Sequence, residues 1–107
     1  MTKSVTPVAL LALVAFSLPA ISDQDLSQGR EVFTQTATPS CTICHALSDA
    51  GATGAIGPNL DELKPSVDQV RSAVSRGVGV MPAFVDSLTE EEIESVSQYV
   101  ANVAGQE

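Results

Sequence analysis

The clearest hydrophobic pattern lies near the C-terminus and has helical spacing. Its apolar positions are Ile93, Val96, Val100 and Val103. Intervals of three and four residues place side chains on one face of a helix. Thr89 followed by Glu92 forms a capping box, and acidic residues 90–92 complement the positive end of the helix dipole. The pattern predicts a helix over about residues 90–104.

Two further patterns predict helices upstream. Leu26, Gly29, Val32 and Phe33 indicate one over about residues 25–34. Val67, Val70 and Val74 indicate another over about residues 66–76, with Ser66 and Gln69 as its capping box and Gly77 as its stop. Apolar and polar residues nowhere alternate over a full strand. The chain is therefore predicted to be all-α.

The N-terminal 22 residues have the pattern of a secretory signal. Lys3 precedes the apolar run VALLALVAFSL at residues 8–18, which is shorter than the roughly 20 residues that span a bilayer. Pro19 breaks the run, and small residues Ala20 and Ser22 suit a signal peptidase. We expect cleavage after residue 22, export to the periplasm and a single domain over residues 23–107. An uncleaved N-terminal anchor is the alternative.

The net charge and composition of the chain limit the kinds of partner that it can bind. The chain has a formal charge of −8, and removal of Lys3 with the signal makes it more negative still. Nucleic acids and anionic lipid headgroups are disfavoured, since both attract basic surfaces. The chain has no tryptophan, and only 4% of its residues are aromatic. So small a domain usually needs a cofactor, metal or disulfide to complete its core.

Both cysteines and the only histidine lie in the pentapeptide CTICH, residues 41–45. A zinc site needs four ligands, and His45 is the only other ligand of the usual kind. A thiol–disulfide exchange motif normally lies on a βαβ scaffold that this sequence lacks. A local structural disulfide would leave His45 without a role.

Covalent haem accounts for the whole pentapeptide. Cys41 and Cys44 can each form a thioether with one porphyrin, and the adjacent His45 can then bind the iron. The porphyrin would also fill the core of the small domain. We therefore predict one haem c.

Met81, in GVGVMPAF, is the predicted second axial ligand. It is the only methionine beyond the signal, because Met1 would be removed. Gly77 and Gly79 permit sharp turns and Pro82 stiffens the loop, which is unlike a core position. Lys64 and Tyr99 are the other conceivable ligands.

With these motifs the sequence resembles class I c-type cytochromes over essentially all of residues 23–107. CTICH, IGPNL at residues 56–60, VGVMPAF and the last helix follow the order found in that family. The resemblance implies a compact fold of three to four helices around one haem c. It also implies that the Pro58 carbonyl accepts the Nδ1 proton of His45, and that Leu60 contacts the haem.

The resemblance further implies that the first and last helices cross at Gly29, with Phe33 and Tyr99 filling the contact. Two features depart from the family. No tryptophan is available to bind a haem propionate, and the lysine ring of mitochondrial cytochromes is missing. We therefore expect redox partners with a neutral or basic docking face.

A haem with two protein ligands has no open site for substrate, so we expect a one-electron carrier, monomeric when free, rather than an enzyme. An enzyme or gas-binding protein would need a distal acid or base, and no second histidine exists. An electron-relay subunit held permanently in a larger enzyme would use the same site.

The expected partners are an extracytoplasmic donor dehydrogenase and an acceptor cytochrome or oxidase. The small size and the run GVGVMPAF are similar to monohaem cytochromes that accept electrons from periplasmic sulfite dehydrogenases. We expect Val80, Pro82 and Ala83 to form an apolar contact patch. Asp49 and Asp86, which are close in sequence to the two haem loops, are the expected acidic residues at the haem edge.

Overall fold

The structure is a computed structural model that describes residues 2–16 and 23–106. The predicted cleavage site after residue 22 lies outside the described residues, so the signal peptide stays a prediction. Residues 2–16 have no regular secondary structure. In the described ranges, no helix is long and apolar enough to cross a membrane.

Four α-helices are present in the described part of the chain: α1 (Asp23–Glu31), α2 (Leu60–Leu63), α3 (Val67–Arg76) and α4 (Glu90–Val103). A π-helical turn, Val32–Thr36, follows α1, and short 3₁₀ turns lie at Cys41–Ile43 and Ser48–Ala50. The helical architecture agrees with the sequence prediction.

A small antiparallel hairpin was not predicted. Its strands are β1 (Ala46–Leu47) and β2 (Ala52–Thr53), in which Ala46 pairs with Thr53 and Leu47 with Ala52. Two residues are too few to show alternation, so no sequence pattern distinguishes these strands from a loop.

The predicted caps of the two longest helices are confirmed. At α4, the Thr89 side chain accepts the Glu92 backbone N–H at 3.1 Å and the Glu92 carboxylate accepts the Thr89 N–H at 2.9 Å. At α3, Ser66 and Gln69 form the same reciprocal pair at 3.1 and 2.8 Å. Each cap satisfies backbone donors that a helix start leaves free.

Helix α1 ends earlier than predicted, at Glu31, and the chain continues through the π-helical turn. The turn buries Val32 and Phe33, each 2% exposed. The single-turn helix α2 was also missed. Its cap is Asn59, whose side chain accepts the N–H groups of Asp61 and Glu62. One turn is too short to show a helical period.

Asp61 ties α2 to two distant segments. Its carboxylate accepts the Ser48 N–H at 2.8 Å, the Ser48 hydroxyl at 2.9 Å and the Gly105 N–H at 2.8 Å. The backbone donors of Gly105 and Ser48 hold the pKa of this carboxyl below its usual range, because they favour the charged form. The hydrogen bonds join α2 to the turn after β1 and to the C-terminal residues.

The predicted contact between the first and last helices is present. A Cβ on Gly29 would overlap the backbone carbonyl of Ser95 and the side chain of Tyr99, so only glycine fits there. The Phe33 and Tyr99 rings meet edge to face with centroids 6.1 Å apart. The Tyr99 hydroxyl donates to Asp49 at 2.5 Å, and burial raises the Tyr99 pKa, which keeps this donor protonated.

Substitution of Gly29 by valine should destabilise the protein. The valine side chain would have to displace the α4 backbone, and such overpacking costs about 1–3 kcal/mol or more. We expect a lower midpoint of thermal unfolding, measured on the holoprotein by circular dichroism. Ser72→Val is the control, since it places valine at an exposed position of α3. Equal melting temperatures for the two variants would contradict the close contact at Gly29.

Candidate haem site

One cavity, with a volume of about 380 Å³, brings together all six site residues predicted from the sequence. They are Cys41, Cys44, His45, Pro58, Leu60 and Met81. These residues come from the 3₁₀ turn at Cys41–Ile43, the loop before α2, the start of α2 and the loop after α3. The remaining lining is largely apolar, and part of it comes from Val96 and Val100 of α4.

The local fold of CTICH places its two thiols and its imidazole at the same cavity. Ser40 caps the 3₁₀ turn through its side chain, which accepts the Thr42 N–H at 3.4 Å. The turn then continues with a hydrogen bond from the His45 N–H to the Cys41 carbonyl at 3.0 Å. Cys41, Cys44 and His45 therefore occupy little more than one helical turn, as the covalent-haem interpretation requires.

The predicted hydrogen bond between His45 and Pro58 is present, with Nδ1 2.7 Å from the Pro58 carbonyl oxygen. A carbonyl oxygen can only accept, so Nδ1 carries a proton, and in the neutral ring the lone pair is then on Nε2. Gly57 makes this arrangement possible, because a Cβ there would lie 2.7 Å from Cε1 of the His45 ring. The sequence interpretation did not assign Gly57 this role, which depends on the proximity of a ring twelve residues earlier.

Met81 is held by a tight backbone turn. The N–H of Met81 donates to the Val78 carbonyl at 2.9 Å, and the N–H of Val78 donates back at 3.1 Å. Gly77 and Gly79 have φ values of 73° and 55°, as the predicted sharp turns require. Met81 is half-buried and packs against the core.

The Cys41 thiol lies in an apolar environment. Burial is the main reason that its pKa rises to about 11, and the neighbouring Cys44 contributes to the rise. Before haem is attached, Cys41 is therefore an uncharged thiol at neutral pH. An uncharged sulfur is compatible with a cavity that takes a large apolar group.

The side chains that line the cavity include no aspartate, glutamate, lysine or arginine, within the residues that the structure describes. Two thiols, one imidazole with a free nitrogen and one thioether are the groups available to hold a ligand. Thiols can form thioethers, and imidazole and thioether are the axial ligands of haem iron in cytochromes c. The lining therefore fits haem c.

Comparisons with known proteins agree with the conclusion that the cavity fits haem c. Residues 24–100 match the family described as cytochrome c oxidase, cbb3-type, subunit III. The chain is 31% identical to cytochrome c6 of Gloeothece citriformis, over 95% of this chain and 96% of that protein. It is 34% identical to cytochrome c6 of Gracilaria tenuistipitata var. liui, over 73% of this chain and 72% of that protein.

A solved structure shares both fold and sequence. The c-type cytochrome SorU from Sinorhizobium meliloti superposes with a TM-score of 0.76 and is 51% identical, covering 78% of this chain and 95% of that one. The chain therefore belongs to the class I c-type cytochromes. It carries a covalently bound haem c and transports electrons, which confirms the family and the cofactor predicted from CTICH.

The structure gives one acidic residue a further contact. Asp49, which follows CTICH closely, is one of the two acidic residues expected at the haem edge. Its carboxylate accepts the hydroxyl of Tyr99, which is 50 residues away in the sequence. Neither Asp49 nor Asp86 lines the cavity, and both are exposed. Replacing Asp49 would break the bond to Tyr99 as well as remove a charge, so Asp86 is the cleaner probe of charge.

Proposed function

We propose that this cytochrome is a free one-electron carrier of the periplasm and not an enzyme, with His45 and Met81 as axial ligands of its haem iron. The observation that carries the proposal is the set of side chains that line the cavity described above. It holds both thiols, an imidazole whose Nε2 has a lone pair, and the only methionine outside the predicted signal.

Each site residue has a distinct role in this proposal. Cys41 and Cys44 would hold the porphyrin through thioethers to its two vinyl groups, and His45 Nε2 would bind the iron. The Pro58 carbonyl would keep the His45 ring oriented and make its Nε2 a better ligand. Leu60, 8% exposed, would pack against the porphyrin. The bound haem supplies an iron that alternates between Fe(III) and Fe(II).

A carrier is favoured over an enzyme because the protein would hold both axial positions. Among the residues that the structure describes, the cavity lining also offers no carboxylate or amine to act as a distal acid or base. Absorption spectroscopy tests the proposal. We expect the oxidised protein to show the far-red charge-transfer band of methionine-bound haem, and the reduced protein to be unchanged by carbon monoxide. Rapid binding of carbon monoxide would favour the alternative of an open-site enzyme or gas-binding protein.

The proposed partners are an extracytoplasmic donor dehydrogenase, in particular a sulfite dehydrogenase, and an acceptor cytochrome or oxidase. The sequence similarity around GVGVMPAF supports the choice of donor. The alternative is a relay subunit that stays bound in a larger redox enzyme. Size-exclusion chromatography of the natively purified protein separates the two, since a free carrier elutes as an 11 kDa protein or smaller.

The loop around Met81 has the exposure that a transient contact needs. Val80 is 92% exposed, and Pro82 and Ala83 are exposed as well. Val80 and Pro82 also line the cavity, so this patch lies beside the proposed haem position. We infer that electrons cross here, where an apolar contact brings the partner close to the porphyrin edge.

Ionic strength should slow electron transfer with a cationic partner. The formal charge of −8 gives the protein a negative potential, which salt screens with a Debye length of about 8 Å at 0.15 M. We expect the rate of reduction by the hexaammineruthenium(II) cation to fall as salt is raised, and the rate of oxidation by the hexacyanoferrate(III) anion to rise. A basic docking face on the natural donor would respond as the cation does.

Two variants test which part of the surface charge controls the rate of electron transfer. Asp86→Asn should flatten the salt dependence, because Asp86 lies close in sequence to the Met81 loop. Glu91→Gln removes the same charge from the first turn of α4, and we expect a smaller effect there. Equal effects would show that net charge, and not charge at the proposed contact, controls the rate. A cation rate that rises with salt would contradict the electrostatic argument.

A further inference from the structure

The proposed site leaves one requirement of haem c unmet. A haem carries two propionate carboxylates, and a carboxylate near an apolar interior needs hydrogen-bond donors or water. The chain has no tryptophan to supply one. In the described part of the chain, no arginine or lysine lines the cavity. Any side-chain donor within the cavity lining is therefore an uncharged polar group.

Besides the predicted attachment and ligand residues, the cavity has two polar side chains, Ser40 and Gln69. The Ser40 hydroxyl is already engaged. It lies 3.2 Å from the carbonyls of Phe33 and Thr34 and 2.8 Å from the Thr42 hydroxyl. It also accepts the Thr42 N–H. A hydroxyl has one proton to donate, so Ser40 is a poor candidate.

One end of the Gln69 side-chain amide has a hydrogen-bond partner, and that bond fixes the orientation of the amide. Its Oε1 accepts the Ser66 backbone N–H at 2.8 Å in the capping box of α3. A backbone N–H requires an oxygen, so the two ends of this amide are assigned unambiguously. Because the amide is planar, fixing Oε1 also limits where Nε2 can point. The two protons on Nε2 have no partner recorded in the described part of the chain.

We propose that the Gln69 side-chain amide donates a hydrogen bond to a haem propionate, with the capping box as the device that orients it. Gln69 is exposed although it lines the cavity, so it lies at the cavity mouth, where a propionate reaches solvent. This inference rests on the proposed placement of the haem, and it gives Gln69 a second role beyond starting α3.

Two cations that are close to Gln69 in the sequence lie outside the cavity lining. The Arg71 guanidinium is bound by Asp68 and by both carboxylate oxygens of Glu94. The Lys64 side chain lies against Gly105, where an added Cβ would be 2.5 Å from its Cε. Neither side chain lines the cavity, whereas Gln69 does.

Nuclear magnetic resonance of the reduced, diamagnetic holoprotein tests the contact directly. With ¹⁵N labelling, the Gln69 side-chain NH₂ protons should show nuclear Overhauser effects to the propionate methylene protons. Assigned Gln69 NH₂ signals without any such effect would overturn the proposal. The far-red absorption band is recorded on the same sample, so a failure of axial ligation is distinguished from a failure of this contact.

The reduction potential provides a second test. Gln69→Glu keeps a capping-box acceptor but replaces the donor with a carboxylate, and Gln69→Leu removes the donor without adding charge. We expect both variants to have a lower potential than the parent, because less positive charge faces the haem. Ser66→Ala weakens the cap but keeps the amide, and Gln35→Glu adds the same charge at an exposed position outside the cavity.

These controls distinguish loss of the hydrogen bond to the propionate from loss of stability of α3. We expect Ser66→Ala to lower the melting temperature and leave the potential near that of the parent. Gln35→Glu should leave the potential near that of the parent as well. A Gln69→Leu potential equal to that of the parent would contradict the proposal. So would equal shifts for Gln69→Glu and Gln35→Glu, since the effect would then be one of net charge.

Discussion

Replacing Cys41 and Cys44 together by alanine is expected to remove almost all folded holoprotein. Both thioethers would be lost, and the porphyrin would no longer be retained in the cavity. Without the porphyrin, the apolar side chains that line the cavity would lose their packing partner and face water. The whole stability of a small domain is only about 5–15 kcal/mol, so this loss should be severe.

The measurements are haem absorbance after purification and a thermal unfolding curve by circular dichroism. Ile43→Ala is the control within the same pentapeptide, because Ile43 is 57% exposed and does not line the cavity. We expect that variant to retain haem and to unfold cooperatively. Recovery of a cooperatively folded, haem-free double variant would show that the protein core does not depend on the cofactor.

Met81→Ala should produce the largest change in redox properties. A thioether stabilises Fe(II), and its loss favours Fe(III). We expect the reduction potential to fall on the order of 0.2 V, within the roughly 0.8 V over which axial ligands set haem potentials. The reduced variant should also bind carbon monoxide, because alanine leaves the sixth position to water or an added ligand.

Val85→Ala is the matched control for Met81→Ala. It shortens an apolar side chain four residues further on, and Val85 is 56% exposed and does not line the cavity. Its potential should stay close to that of the parent, and carbon monoxide should not alter its spectrum. If Met81→Ala kept the parent potential and the far-red band, another residue would be the ligand.

The sequence predicted the longer helices well, because their signals are local and repeated. Helices α3 and α4 combine an apolar stripe with a capping box, and both boxes are present. The π-helical turn, the single-turn α2 and the two-residue strands carry no comparable pattern. Their positions depend on distant partners, as when Asp61 of α2 binds Ser48 and Gly105.

The candidate site was predictable for a similar reason. CTICH places two thiols and an imidazole next to one another in the chain, and Met81 is the only methionine beyond the predicted signal. Residues whose roles arise from the folded arrangement were not predictable. Gly57 is needed because the His45 ring lies against it, and the Asp49 carboxylate accepts a hydrogen bond from the Tyr99 hydroxyl. Neither contact has a signature in the sequence.

The contact of Gly29 with Ser95 also has a consequence for the newly made chain. It joins the first helix to α4, which is synthesised well after it, and Tyr99 of α4 packs against Phe33. Contacts between distant segments form only after the intervening loop has closed. A chain interrupted before α4 would leave Phe33 without its aromatic partner and open to proteolysis. Closure of the domain therefore distinguishes a chain that includes α4 from one that lacks it.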